Sequence, residues 1–154
     1  MNIDGRELRN ALGRFATGVC VITTVDATGN AVGITANSFS SVSLDPPLVL
    51  WSLQSSSDIY TTFASPRRYA INVLSCEQAD LSNQYARKGN HILDAGHYTV
   101  GRHGSPVIRN ALVSFECELE ATHSGGDHLI IIGRVKDVAA RPNGKPLLFH
   151  AGAY

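Results

Sequence analysis

Val19-Cys20-Val21-Ile22-Thr23-Thr24-Val25 decides the fold of this chain. The run is rich in β-branched residues and apolar on both alternating faces, the pattern of a strand covered on two sides. Such side chains lose χ1 freedom against a preceding helical turn but pack well on a pleated sheet. The run ends at Asp26-Ala27-Thr28-Gly29-Asn30, a turn-forming cluster, and Ala31 to Ala36 resumes an extended pattern. Two extended runs around such a cluster predict a hairpin.

The same pattern continues outward. Ser40-Ser41-Val42-Ser43-Leu44 is an extended piece closed by Asp45-Pro46-Pro47, and Leu48 to Leu53 follows as a strongly apolar strand. Tyr69-Ala70-Ile71-Asn72-Val73-Leu74 is another. Leu112 to Thr122 carries Glu116, Glu118 and Glu120 on one side, and His128 to Val138 contains Leu129-Ile130-Ile131-Ile132. Ser124-Gly125-Gly126-Asp127 joins these two as a turn, and Pro142-Asn143-Gly144-Lys145 is a last turn. Helical spacing is confined to short places. Gly5 to Phe15 sets Leu8, Leu12 and Phe15 on one face, Ser57 caps a helix running through Phe63, and Glu77 to Ala86 sets Leu81 and Tyr85 at helical spacing. Arg87 to Ser105 has no period and four glycines, which reads as a long functional loop. Many strands, few helices and turn signals between them predict a mainly β protein with a few short helices, a closed or nearly closed barrel in a single domain over residues 1–154.

Composition excludes whole classes of function. The chain is 44% hydrophobic and 17% charged, enough apolar material for a core. Its 13 basic and 13 acidic residues balance, so no long-range field recruits nucleic acid or an anionic membrane. The polar start Asn2-Ile3-Asp4-Gly5-Arg6-Glu7 and the absence of a long apolar run predict a cytoplasmic protein without a membrane segment. Cys20, Cys76 and Cys117 are odd in number, far apart and set in apolar runs, and are expected to be buried reduced thiols.

Three segments carry candidate chemistry. Thr35-Ala36-Asn37-Ser38-Phe39-Ser40-Ser41 places small residues and hydroxyls between two apolar strands. A flat polar heterocycle needs such a surface, with close backbone approach and an edge donor and acceptor such as Asn37 provides. The same segment also reads as a strand connection that hydrogen-bonds itself. Trp51-Ser52-Leu53-Gln54-Ser55-Ser56-Ser57-Asp58 leads serine hydroxyls into a helix start, where unpaired N–H groups suit a phosphate; an ordinary capped polar loop has the same composition. No Lys or Arg occurs between Arg14 and Arg67, so a cation for that phosphate must come from Arg67, Arg68, Arg87 or Lys88. Gly125-Gly126-Asp127-His128 puts a histidine after a glycine turn, where it reaches a ligand at a barrel mouth or merely begins a strand. The other histidines lack metal-ligand spacing, and no metal site is expected. There is no Gly-x-Gly-x-x-Gly, no P-loop and no Gly-x-Ser-x-Gly elbow, so neither a Rossmann unit nor a serine hydrolase is indicated.

Together these segments resemble the short-chain flavin reductases, the reductase components of two-component flavin-dependent monooxygenases, built on an FMN-binding split barrel. The resemblance begins at Phe15-Ala16-Thr17-Gly18-Val19 and continues from Gly33 through Leu50. It resumes at Tyr69 to Leu74, at Gly126-Asp127-His128, and at Pro146-Leu147-Leu148-Phe149 with Gly152 and Tyr154. No one piece is unique, but the ordered set at these spacings is specific.

The resemblance implies a split β-barrel homodimer with flavin near the subunit interface. It implies that Thr35, Ala36, Asn37 and Ser38 line the isoalloxazine ring, and that Ser52, Ser55, Ser56 and Ser57 face the ribityl phosphate. Asn83, Tyr85 and Ala86 would lie near the rest of the nucleotide, with Gly126 beside it. His128 would stand at the nicotinamide site and Tyr154 in a segment that closes it. Many relatives carry a basic residue in the segment matching Gln54 to Asp58, and this chain does not. The implied activity is hydride transfer from NADH or NADPH to FMN or FAD, the reduced flavin passing to a separate monooxygenase component. The competing readings are a pyridoxamine-phosphate-oxidase-like protein with tightly held FMN and a non-catalytic flavin-binding protein. No motif chooses between FMN and FAD or between the two nicotinamide cofactors.

Overall fold

The computed structural model describes residues 2–154. Helix α1 (Gly5–Leu12) is followed by β1 (Thr17–Gly18), β2 (Cys20–Val25), β3 (Ala31–Ala36), β4 (Ser40–Leu44) and β5 (Pro47–Gln54). Helix α2 (Tyr60–Ala64), β6 (Arg68–Val73) and α3 (Ala79–Ala86) come next. A 3-10 turn at Ala95–His97 then leads into β7 (Tyr98–Val100), β8 (Pro106–Ile108), β9 (Val113–Gly125), β10 (His128–Ala140) and β11 (Leu148–Phe149).

Seven strands form one sheet in the order β3-β2-β6-β9-β10-β5-β4, and every neighbouring pair is antiparallel. Its two edge strands, β3 and β4, are joined in sequence by residues 37–39 alone. A link that short forces the two edges together, so the sheet curls into a barrel split at one seam. Ser38 spans that seam, its hydroxyl accepting from the Ser52 amide at 2.9 Å and donating to the Ser52 carbonyl at 3.1 Å.

Strand β2 is buried on both faces, as its composition requires. Cys20 and Ile22 point into the barrel with Trp51, Phe63, Tyr69 and Ile71, while Val19 and Val21 pack outside it with Leu74, Tyr85 and Leu147. Gly133 on β10 meets a requirement of close approach, because a Cβ there would overlap the Tyr69 hydroxyl. Asn72 is fully buried and all its hydrogen-bonding groups are used. Its amide donates to the Val21 carbonyl and Thr23 hydroxyl, and its oxygen accepts from the Ile108 amide and Ser114 hydroxyl.

Several expectations are corrected. Helix α1 stops at Leu12, with Gly13 as its cap, and its apolar face is not against the core: Leu12 is 66% and Phe15 78% exposed. Ser57 does not cap α2, which starts after Ile59; the Ser57 hydroxyl instead accepts from the Ile59 amide at 3.3 Å within a tight turn. The stretch 87–105 is not loop throughout, since β7 pairs with β8 as a small hairpin. Glu116 departs from its neighbours: a register shift near Asp137 accompanies a side chain only 2% exposed, its carboxylate accepting from the His103 and Ser105 amides. Cys20 and Cys117 are buried but Cys76 is exposed, because it lies just beyond β6 where the chain has left the sheet. No helix of the described residues is long and apolar enough to cross a membrane.

Candidate flavin-binding site

A cavity of about 400 Å³ lies on the seam of the barrel. One wall is the end of β3 and its continuation, from Ile34 to Ser38, and the facing wall is β5 from Trp51 to Gln54. The turn after β5 adds Ser56, Ser57 and Asp58, while Ala86, Lys88 and His91 enter from the end of α3 and the segment beyond it. His128 completes the lining from β10, where it lies directly opposite Gln54 in the strand register.

The cavity therefore has two unlike ends. Backbone and small side chains at Ala36, Asn37 and Ser38 give a flat wall, since the chain crosses the seam there without bulky groups. The rest of the lining is polar, with two serine hydroxyls, an amide, a carboxylate, an ammonium and two imidazoles. Two of the expected hydroxyls are already committed: Ser38 to the Ser52 backbone, and Thr35 to the Ser82 carbonyl at 2.7 Å. Those residues shape the wall and present backbone to an occupant.

Nine of the residues singled out from the sequence line this one cavity: Thr35, Ala36, Asn37 and Ser38, then Ser52, Ser56 and Ser57, then Ala86 and His128. The others fall elsewhere for identifiable reasons. Tyr85 is fully buried, and its hydroxyl accepts from the Asp94 amide at 3.0 Å and meets the His97 ring at 2.7 Å, so it locks α3 to the following segment. Asn83 lies on the exposed side of α3. Ser55 is turned outward, its amide bonded to the Asp127 carbonyl at 2.9 Å, and Gly126 supplies the positive φ of 67° that the β9–β10 turn requires. Together these two pin the turn that carries His128. Tyr154 lines a neighbouring cavity of about 310 Å³ with Ala36, Asn37 and Phe149, its hydroxyl 2.5 Å from that of buried Ser82.

Asn37 also borders a third cavity, of about 590 Å³, between Leu12 and Phe15 on one side and Thr17 and Phe149 on the other. Of the four cations named from the sequence, Lys88 enters the seam cavity; Arg67 and Arg68 line a separate hollow with Thr24 and Ser105. His91 and Asp58 were not identified as ligand-facing. Their Nε2 and Oδ1 atoms lie 2.8 Å apart across 33 residues of sequence, a separation that leaves no local signal. Nδ1 of His128 lies 2.7 Å from Oδ1 of Asp127, and this bond holds the Asp127 carboxyl below the usual carboxylate range.

Residues 12–154 match the family model described as "Flavin reductase like domain". The chain belongs to the flavin reductase family. The reductase chain is 46% identical over 151 residues to "FMN reductase (NADH) SmoA" of Agrobacterium fabrum, covering 98% of this chain and 85% of that protein. It is 50% identical over 132 residues to "Probable flavin reductase" of Rhizobium meliloti, covering 86% of this chain but only 42% of that longer protein. Among solved structures, the Streptomyces globisporus NADH:FAD oxidoreductase SgcE6, in complex with NAD and FAD fragments, superposes with a TM-score of 0.89 at 31% identity. That match covers 99% of this chain and 93% of the other. The fold of this flavin reductase chain is thus the split β-barrel.

Proposed function

We propose that this chain is an NADH- or NADPH-dependent flavin reductase that binds FMN or FAD in the seam cavity and delivers reduced flavin to a separate monooxygenase. The observation that carries the reading is the cavity's polarity: a flat backbone wall at Ala36 to Ser38 and, at the far end, Ser56, Ser57 and Lys88. A flavin mononucleotide has the same two ends, an aromatic ring system and a phosphate. The volume lies within the range of small-molecule and cofactor sites.

When bound together, flavin and nicotinamide supply the hydride chemistry themselves. The protein's residues orient and bind. Asn37 offers an amide donor and acceptor to the ring edge. Lys88 and the two serines hold the phosphate by charge-assisted and neutral hydrogen bonds. His128, steadied by Asp127, lines the cavity from β10 and holds the nicotinamide nucleotide. Holding both reactants in one geometry is the main catalytic contribution open to such a site.

Two further properties belong to the proposal. The uncovered apolar side chains Leu8 and Leu12 of α1, with Phe15 just beyond its end, support a homodimer. The buried thiols of Cys20 and Cys117 support work in a reducing, cytoplasmic setting.

The deciding experiment is oxidation of NADH and of NADPH by the purified chain, with and without added FMN, FAD or riboflavin. Turnover that depends on added flavin is expected. Flavin binding without turnover of either nicotinamide would defeat the proposal in favour of a binding protein.

A further inference from the structure

Asp58 presents a difficulty for an anion site, because it puts a carboxylate in the lining of the polar end beside Ser56, Ser57 and Lys88. An unpaired carboxylate there would repel a phosphate. Both of its oxygens are engaged instead. Oδ2 accepts from the Gly89 amide at 2.6 Å, and Oδ1 lies 2.8 Å from Nε2 of His91. Burial disfavours the charged form, yet the Gly89 amide and His91 outweigh it and hold the Asp58 carboxyl below its ordinary range.

The His91 ring is fixed at its other side too. Its Nδ1 lies 3.0 Å from the Gly33 carbonyl, so both ring nitrogens face acceptors. The Gly33 carbonyl and the Asp58 carboxylate thus hold the ring from its two sides. The His91 carbonyl in turn accepts from the Gly33 amide at 2.8 Å, and Ile92 bridges to Val32, so residues 91–92 are laid along the free edge of β3. Gly89 has a φ of 77°, a conformation suited to glycine, which turns its amide toward Asp58. Lys88 lies immediately before this anchored turn, and Ser57 immediately before Asp58.

We propose that Asp58 and His91 form a clasp that joins the serine turn to the lysine segment and ties both Asp58 oxygens away from the seat, making the site selective for phosphorylated flavins over riboflavin. The proposal rests on the seam cavity being the flavin site. Asp58 and His91 act here as positioning residues. The clasp sets Ser56, Ser57 and Lys88 in one fixed relation before a ligand arrives, and it engages the oxygens of the one carboxylate in the lining.

The test compares dissociation constants for FMN and riboflavin, read by flavin fluorescence on the purified chain without any turnover. His91→Ala is expected to weaken FMN binding about tenfold or more while changing riboflavin less than about threefold, because it leaves the Asp58 charge unpaired in the seat. Adding Asp58→Asn to His91→Ala is expected to recover part of the FMN affinity, a recovery that loss of structure alone cannot produce. Should His91→Ala not fold, His91→Gln is measured in the same way. Equal weakening of both ligands, or no recovery in the double variant, overturns the clasp. Lys88→Ala separates the two layers of argument: if it leaves the FMN-to-riboflavin ratio unchanged, the phosphate end itself is wrongly assigned. A flavin ratio that behaves as expected in a chain that oxidises neither nicotinamide leaves the clasp standing and defeats the reductase reading.

Discussion

The hydroxyl of Ser38 takes the place of a strand partner for Ser52, accepting from its amide and donating to its carbonyl. This single side chain does at the seam what a ladder does elsewhere in the sheet. Ser38→Ala removes both bonds and leaves the Ser52 amide without its acceptor, at a cost of about 1–3 kcal/mol. For a chain of this size that lowers Tm by roughly 3–10 °C. Thermal unfolding with and without FMN checks it. The loss of flavin affinity is expected to exceed that of an alanine placed on β9, far from the seam.

Asn72 joins four elements in the core, so its replacement tests the fold independently of ligand. Asn72→Leu keeps volume but leaves the Ile108 amide and Ser114 hydroxyl without their acceptor. Urea unfolding should show destabilisation of about 2–4 kcal/mol. A change below about 0.5 kcal/mol would mean the network is not needed.

The thiols predict both reactivity and an alkaline limit. Burial pushes Cys20 up to about 12, and burial with the Glu116 charge does the same for Cys117. In the native protein a thiolate-selective reagent should therefore titrate Cys76 alone, and all three cysteines after denaturation. For stability the sign follows from the raised folded values. The contribution is complete below the unfolded thiol range near pH 8.5, and is lost as pH climbs from there toward 12. Tm should hold level from about pH 7 to 8.5 and decline above about pH 9, with a shallower decline in the Cys20→Ala, Cys117→Ala double variant. On the acid side Asp58 works oppositely: its lowered range means that its contribution is present at neutral pH and lost as pH falls through that range.

His128 lines the seam cavity from β10, opposite Gln54 and away in sequence from the wall at residues 36–38. His128→Ala should raise KM for the nicotinamide about tenfold while kcat at saturation stays within about threefold, the signature of lost binding rather than lost chemistry. Steady-state kinetics with fixed flavin decide this. A kcat fallen a hundredfold with KM unchanged would assign His128 to the chemical step.

Much of the barrel was legible because β-branched runs and their turns are local. Val19 to Val25, Asp26 to Asn30 and Ala31 to Ala36 each announce their own conformation, and their sum fixes a hairpin. Thr35 to Ser38 were legible as candidates because small polar residues between apolar strands are unusual in a core, and they line one cavity. What local pattern could not supply is distance. Tyr85 looked available because helical spacing does not say which partner a hydroxyl finds. Its partners, Asp94 and His97, lie in a stretch with no period at all. Asp58 and His91 escaped notice for the same reason, and the exposed face of α1 shows that an apolar stripe declares a need for cover without naming the cover.

Asn37 borders three cavities at once. A molecule filling one of them becomes part of the boundary of the next, so whatever docks second meets a surface that the first guest has partly built. On the proposed reading, a chain with no dinucleotide fingerprint would discriminate among hydride donors through a template that the bound acceptor partly builds.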